Sequence, residues 1–313
     1  MLRHCAIATI CICLMAVPAC LAGSEPPANR SESEARETAV LERGLERLAG
    51  VKPERGHDYH ATDLFTDPKV AQLAEAAADG DVARINALAA RGASPNAKGR
   101  EGFTPLMYSM SGRSTKGFKR LLEMGGDPNL QNERGQSAIS FAASRHESES
   151  LKLAIAFGGD ANVQARLAPR YTDSSRPTPI YDAIDALNPE NARLLIKAGA
   201  DLNVKGSFGC TPLMAAAGHG SYQVMYLLLE SGADFRAKDD SGYPVSEYIL
   251  EQAPHDGEIA KWRRRCMEFM EKKGVNFEEE KRKNADNARR IEAELERADA
   301  AEPGRQNKGK PGR

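Results

Sequence analysis

Gly209-Cys210-Thr211-Pro212-Leu213-Met214-Ala215-Ala216-Ala217-Gly218-His219-Gly220, followed by Ser221-Tyr222-Gln223-Val224-Met225-Tyr226-Leu227-Leu228-Leu229-Glu230-Ser231-Gly232-Ala233-Asp234, is the stretch that decides the fold. It predicts a turn, a short helix over 212–217, a break at Gly218–Gly220, and a second helix over 222–230. Proline at the first helical turn costs little, because its missing N–H has no partner there. Thr211 is placed to cap the exposed N–H groups. Gly232 sits where a left-handed residue closes a helix. A unit this small cannot bury its own apolar face, so it must recur.

It does recur. Thr104-Pro105, Ser137-Ala138, Thr178-Pro179 and Thr211-Pro212 are spaced 33, 41 and 33 residues apart. Gly92, Gly125, Gly158, Gly199 and Gly232 follow at 33, 33, 41 and 33, and Asn96, Asn129, Asn162 and Asn203 keep the same register. With T-P-L-x-x-A-A and L-L-x-x-G-A-D-x-N at this period, the pattern resembles the ankyrin repeat. The resemblance implies an all-α ankyrin-repeat solenoid of helix-turn-helix units with short β-turn fingers. Core repeats span 102–134, 135–175, 176–208 and 209–241. A partial repeat at 69–101 and a modified one at 242–277 complete a repeat domain over 67–277.

Outside this domain, residues 1–22 read as a secretory signal: Arg3 and His4, an apolar run over 6–17, then small residues. Two processing routes stay open, cleavage after Ala22 or lipidation of Cys20 in a lipobox-like Val17-Pro18-Ala19-Cys20. Either implies a periplasmic or exported protein, with membrane attachment only through a lipid at Cys20. Residues 23–66 read as a linker with a short helix over 33–49. Residues 278–313 read as a charged, disordered tail, with only Ile291 and Leu295 marking a helix over 279–300.

The chain carries 43 Lys+Arg against 44 Asp+Glu, a net charge of −1 that argues against a nucleic-acid partner. Cys210 falls in a finger turn and Cys266 on an outer helix, too far apart for a disulfide, so both are expected as thiols. No H-E-x-x-H, G-x-S-x-G, phosphate loop or paired C-x-x-C is present. His57, Asp58 and His60 form the densest polar cluster, but lie in the linker without a third rigid ligand. The chain is expected to be no enzyme and to need no cofactor or metal.

What remains is a protein-binding surface. Between Asn162 and Thr178 the spacing grows by eight residues, adding Arg166, Arg170, Tyr171 and Arg176 to one finger. Insertions of this kind fall in loops, often on the binding face, and Arg and Tyr are frequent hot-spot residues. Mapped through the resemblance, the other fingers offer Phe103, Arg134, Lys205, Phe208, Asp239 and Tyr243. The concave helices offer Tyr108, Phe141, Arg145, Asp182, Asp185 and His219. The aromatic residues among these have two readings, packing between neighbours or exposed anchors. In the last unit, Trp262, Cys266, Phe269 and Met270 share an apolar helix face, and Lys261, Arg263, Arg264, Arg265, Lys272 and Lys273 read as its solvated flank. Met107, Ser140, Tyr181 and Met214 occupy the place of the pattern's usual histidine, which predicts a lost hydrogen bond between repeats.

Gly117-Phe118-Lys119-Arg120-Leu121-Leu122, Gly135 through Ala143, and Trp262 through Gly274 are similar to a group of exported bacterial ankyrin proteins. That likeness implies an immunity protein that inhibits a secreted antibacterial toxin. Competing readings are a periplasmic scaffold or stabiliser of a resident enzyme, and a structural lipoprotein tether.

Overall fold

The computed structural model describes residues 60–112, 114–166, 178–251 and 257–301. The leader with Cys20, the linker helix, residues 57–59, Arg170, Tyr171, Arg176 and the segment 302–313 lie outside the described residues. Helix α1 (Ala61–Leu64) precedes six helix pairs: α2 (Pro68–Asp79) with α3 (Val82–Ala90), α4 (Pro105–Ser109) with α5 (Thr115–Glu123), α6 (Ala138–Ala143) with α7 (Glu149–Ala156), α8 (Pro179–Asp185) with α9 (Pro189–Lys197), α10 (Pro212–Gly218) with α11 (Tyr222–Glu230), and α12 (Val245–Glu251) with α13 (Gly257–Lys272). A long α14 (Phe277–Ala301) follows.

The first helices pack in one row from α2 to α14 and the second helices in another from α3 to α13. This is the ankyrin-repeat solenoid expected from the period. Among the described residues there is no extended strand; the fingers hold only isolated antiparallel bridges, Gln131 to Ser137 and Lys238 to Pro244. Thr104 and Thr211 cap their helices by accepting the N–H of Met107 and Met214. Leu106, Ile139, Ile180 and Leu213, one per repeat, point between the rows and are fully buried. Such burial is the main stabilising term, since a lone pair has no second surface to cover.

The helix-ending glycines do what their spacing suggests. Gly92, Gly125, Gly158, Gly199 and Gly232 adopt φ of 88, 83, 87, 85 and 90°, which lets the next N–H turn back to a carbonyl five residues earlier. Gly117 serves a different need. A Cβ there would sit 1.9 Å from the Ala77 carbonyl oxygen, so only glycine lets α5 lie against α2.

The asparagine register binds each unit to the next. Asn96, Asn129 and Asn162 donate Nδ2–H to the carbonyls of Gly125, Gly158 and Gly199 at 2.8, 2.9 and 2.9 Å. Their Oδ1 atoms accept the N–H of Asp127, Asp160 and Asp201 at 2.8, 2.7 and 2.7 Å. The third step spans eight extra residues and keeps the same bond lengths. Asn203 Oδ1 likewise accepts the N–H of Asp234 at 2.8 Å, and one unit further on Arg236 replaces asparagine and reaches the Lys273 carbonyl at 2.9 Å.

Several expectations need correction. The end of the linker is ordered: Ala61, Leu64 and Phe65 bury themselves against Val70, Ala71 and Ala74 as a lid on the first unit. Within the tail read as disordered over 278–313, the helix marked over 279–300 does form: Phe277, 2% exposed, anchors α14 against α12 in the place of a seventh first helix. The basic flank of α13 is only partly solvated. Arg263 donates to the Ile249 carbonyl at 2.8 Å, and the Arg265 guanidinium lies 4.4 Å from the Tyr226 and Trp262 ring centroids. Cys210 and Cys266 are both free thiols. Burial pushes the Cys266 thiol up to about 12.

Candidate partner-binding face

First helices and fingers together form one continuous surface, the concave side of such an array. The fingers are rigid because each is bonded to its neighbour. Glu133 N donates to the Glu101 carbonyl at 2.8 Å, and Asp240 N donates to the Phe208 carbonyl at 3.0 Å. Arg134 adds a 3.3 Å ion pair to Glu101 across two fingertips.

The aromatic residues divide between the two readings. Phe103 is half-buried with its ring 6.1 Å from Phe141, and Tyr108 is half-buried edge-on to Phe65 at 6.3 Å. These are packing residues. Phe208 is 74% exposed and Tyr243 45%. Phe208 also holds φ of 55°, a left-handed backbone that disfavours a phenylalanine. Arg166 is exposed at the rim of the insertion, its N–H held by Gln131 Oε1 at 2.8 Å. Arg145 on α6's trailing turn donates to the Met110 carbonyl at 2.5 Å and pairs with Glu147 at 2.7 Å, so it braces two repeats.

The histidine replacements correct another expectation. Tyr181 Oη lies 2.8 Å from the carbonyls of both Val204 and Cys210, restoring at longer reach the bond between repeats that the substitution was expected to remove. Burial raises its pKa beyond the ordinary range. Tyr248 donates to Asp239 Oδ2 at 2.7 Å and meets Cys210 Sγ at 3.0 Å, tying α12 to two fingers. His219 Nδ1 lies 2.8 Å from Asp185 Oδ1, a structural contact on the open face.

The sequence reading placed Asp182 and Asp185 on this face but missed Glu247 and Glu251. Burial and Asp185 together hold the Asp182 carboxyl up to about 8. Glu247 and Glu251 are also raised, first by burial and then by neighbouring acids: Glu280 and Glu251 act on Glu247, and Asp239 on Glu251. Asn284 from α14 donates to Glu247. Aligning the repeats would have placed Glu251 in register with Asp185, but the modified last unit hides that register. Among the described residues no group of His, Cys, Asp and Glu is assembled to hold a metal, and no helix is long and apolar enough to cross a membrane.

A family model for ankyrin repeats (three copies) matches residues 110–206 and 149–239. A putative ankyrin repeat-containing protein of Treponema pallidum (strain Nichols) is 36% identical over 86 residues, 27% of this chain and 29% of that protein, so the chain spans under a third of that relative. Among solved structures, the ankyrin repeat domain of Bcl-3, in the IkappaB family, superposes with a TM-score of 0.51 at 23% identity, over 61% of this chain and 81% of its own. An ankyrin repeat domain from Acinetobacter baumannii AYE gives 0.51 at 24% identity, over 62% and 96%. A chain from the complex of a Bdellovibrio bacteriovorus predatory endopeptidase with an immunity protein gives 0.50 at 26% identity, over 62% and 97%.

Proposed function

We propose that this ankyrin-repeat chain is a stoichiometric protein binder of the bacterial envelope that acts as an immunity protein, occupying and inhibiting a secreted toxin. Ankyrin repeats are in general non-catalytic modules that bind proteins, which supports a recognition role for this chain. The observation that carries the recognition reading is Phe208, an aromatic side chain left in water on a rigid fingertip beside Tyr243. Buried aromatic anchors dominate interface energetics, and an anchor held in place beforehand loses little entropy on binding. Support for the immunity role comes from the likeness to a chain of the endopeptidase–immunity protein complex. Export is supported by the leader-like segment 1–22, and lipidation of Cys20 remains the tethered variant of the same proposal.

The test uses the chain from residue 23 onward as bait in envelope extract, followed by titration of the captured protein's own activity. A secreted hydrolase silenced at one equivalent is the expected outcome. A resident enzyme that stays active would establish the scaffold reading instead. Failure to retain any partner would end the recognition reading, and the mass of the mature N-terminus decides between cleavage after Ala22 and a lipid on Cys20.

A further inference from the structure

The finger and helix residues at the C-terminal end of the face share one chemistry. Phe208 and Tyr243 are exposed rings on neighbouring fingers. Asp240 is exposed between them, with its N–H on the Phe208 carbonyl at 3.0 Å. Behind the fingers, on α12, Glu251 is exposed and Glu247 half-buried. The supporting residues are fixed: Asp239 Oδ1 accepts the N–H groups of Ser241 and Tyr243 at 2.9 and 2.8 Å, and its Oδ2 accepts Tyr248 Oη–H.

The cations on these fingers are Lys205, Arg236 and Lys238, all exposed, set against Asp239, Asp240, Glu247 and Glu251; Arg236 is held on the Lys273 carbonyl at 2.9 Å. Lys205 lies 3.9 Å from Asp240 with both side chains more than half exposed, a loose pair that a partner can displace. The nearby arginines of α13 are turned elsewhere, Arg263 onto the Ile249 carbonyl and Arg265 onto Tyr226 and Trp262. Burial raises both Glu247 and Glu251; at Glu247 the Asn284 amide partly offsets it while Glu280 and Glu251 add to it, and at Glu251 Asp239 adds to it, so a cation arriving beside either carboxylate is favoured. The side chains gathered here are therefore aromatic and, on balance, acidic.

We propose that Phe208, Tyr243, Asp240, Glu247 and Glu251 form the docking surface for a basic segment of the partner protein, with arginine or lysine side chains set over the rings and against the carboxylates. Charge complementarity selects this occupant, since an acidic segment would meet like charges, and a cation gains from both an aromatic face and a carboxylate. The inference rests on the protein-recognition reading above and specifies what the partner presents.

The test is fluorescence anisotropy with the chain from residue 23 to 313 and a fluorescein-labelled Arg-Leu-Lys-Arg-Leu-Lys-Arg peptide, beside the same peptide with glutamate at each basic position. Saturable binding of the basic probe only, weakening with salt, is expected. Phe208→Gly and Glu251→Gln should each lower its affinity about tenfold. Phe208→Gly is chosen because glycine relaxes the left-handed backbone, so a lost affinity accompanied by an unchanged or higher melting temperature cannot come from misfolding. Equal binding of both probes, or undiminished affinity in the two variants, overturns the proposal. So does binding of the basic probe only after residues 303–313 are removed, which would assign the surface to the chain's own Arg305, Lys308, Lys310 and Arg313. If the probe fails while envelope extract still yields a partner, recognition stands and only this surface assignment falls.

Discussion

A phenol stands at residue 181 where the repeat pattern favours histidine, and it shows how a substitution can keep a bond by changing its reach. Tyr181 Oη shares its proton between two carbonyls at 2.8 Å, those of Val204 and Cys210. Tyr181→Phe leaves both without this donor and should cost about 1–2 kcal/mol, measured by urea unfolding. Asp182, its neighbour, supplies a pH signature. Its carboxyl is raised from the ordinary 3.8 to about 8, so the sign is that of an acid whose charged form is disfavoured on folding. Below the unfolded value both states hold the proton and the group contributes nothing. As pH climbs from there through about 8 the unfolded chain ionises first, and stability falls across that window. Asp182→Asn should flatten this part of the stability profile, making the variant more stable than the parent at pH 8 relative to acid, as followed by thermal melts. Neither feature was legible in the sequence. The repeat pattern shows which residue is missing at 181, not which carbonyls a longer side chain can reach, and no local spacing reveals how deeply an aspartate on a first helix sits.

At the scale of elements, most of the fold was legible. The glycines and the Thr-Pro starts carry their meaning within a few residues, so helix ends such as Tyr222–Glu230 came out as expected. The asparagine register was visible as a period, but its bonds reach 29 residues or more along the chain and only the stack brings the partners together. Asn129→Ala removes bonds to Gly158 and Asp160 at once and should cost about 2 kcal/mol, seen as a lower denaturant midpoint. Because the lost bonds join two repeats, the transition should also broaden as the units on either side decouple. Arg236, doing the asparagine's work on Lys273, falls in register yet matches no pattern. The same gap explains the tail: averaged over 278–313 the composition is that of a solvated segment, whereas one buried aromatic residue just before it decides that a helix docks.

For the whole molecule, stability is a chain of neighbour terms, and its two ends are closed differently. Phe65 and Leu64 cover the first unit, and Phe277 closes the last. Phe277→Ala should cost about 3–4 kcal/mol at the site. The effect should stay local: hydrogen exchange is expected to quicken over 242–274 while amides over 104–161 keep their protection. The eight-residue enlargement between Asn162 and Thr178 carries a further consequence. The stack on either side of it keeps its bond lengths, 2.9 Å at Asn162 as at Asn129. Loop content and core are thus free to evolve at different speeds. Duplication of a single 33-residue unit in the gene would reproduce the asparagine bonds that join one repeat to the next, so the length of the binding face can be inherited as a quantity, added or subtracted by recombination without rebuilding the protein.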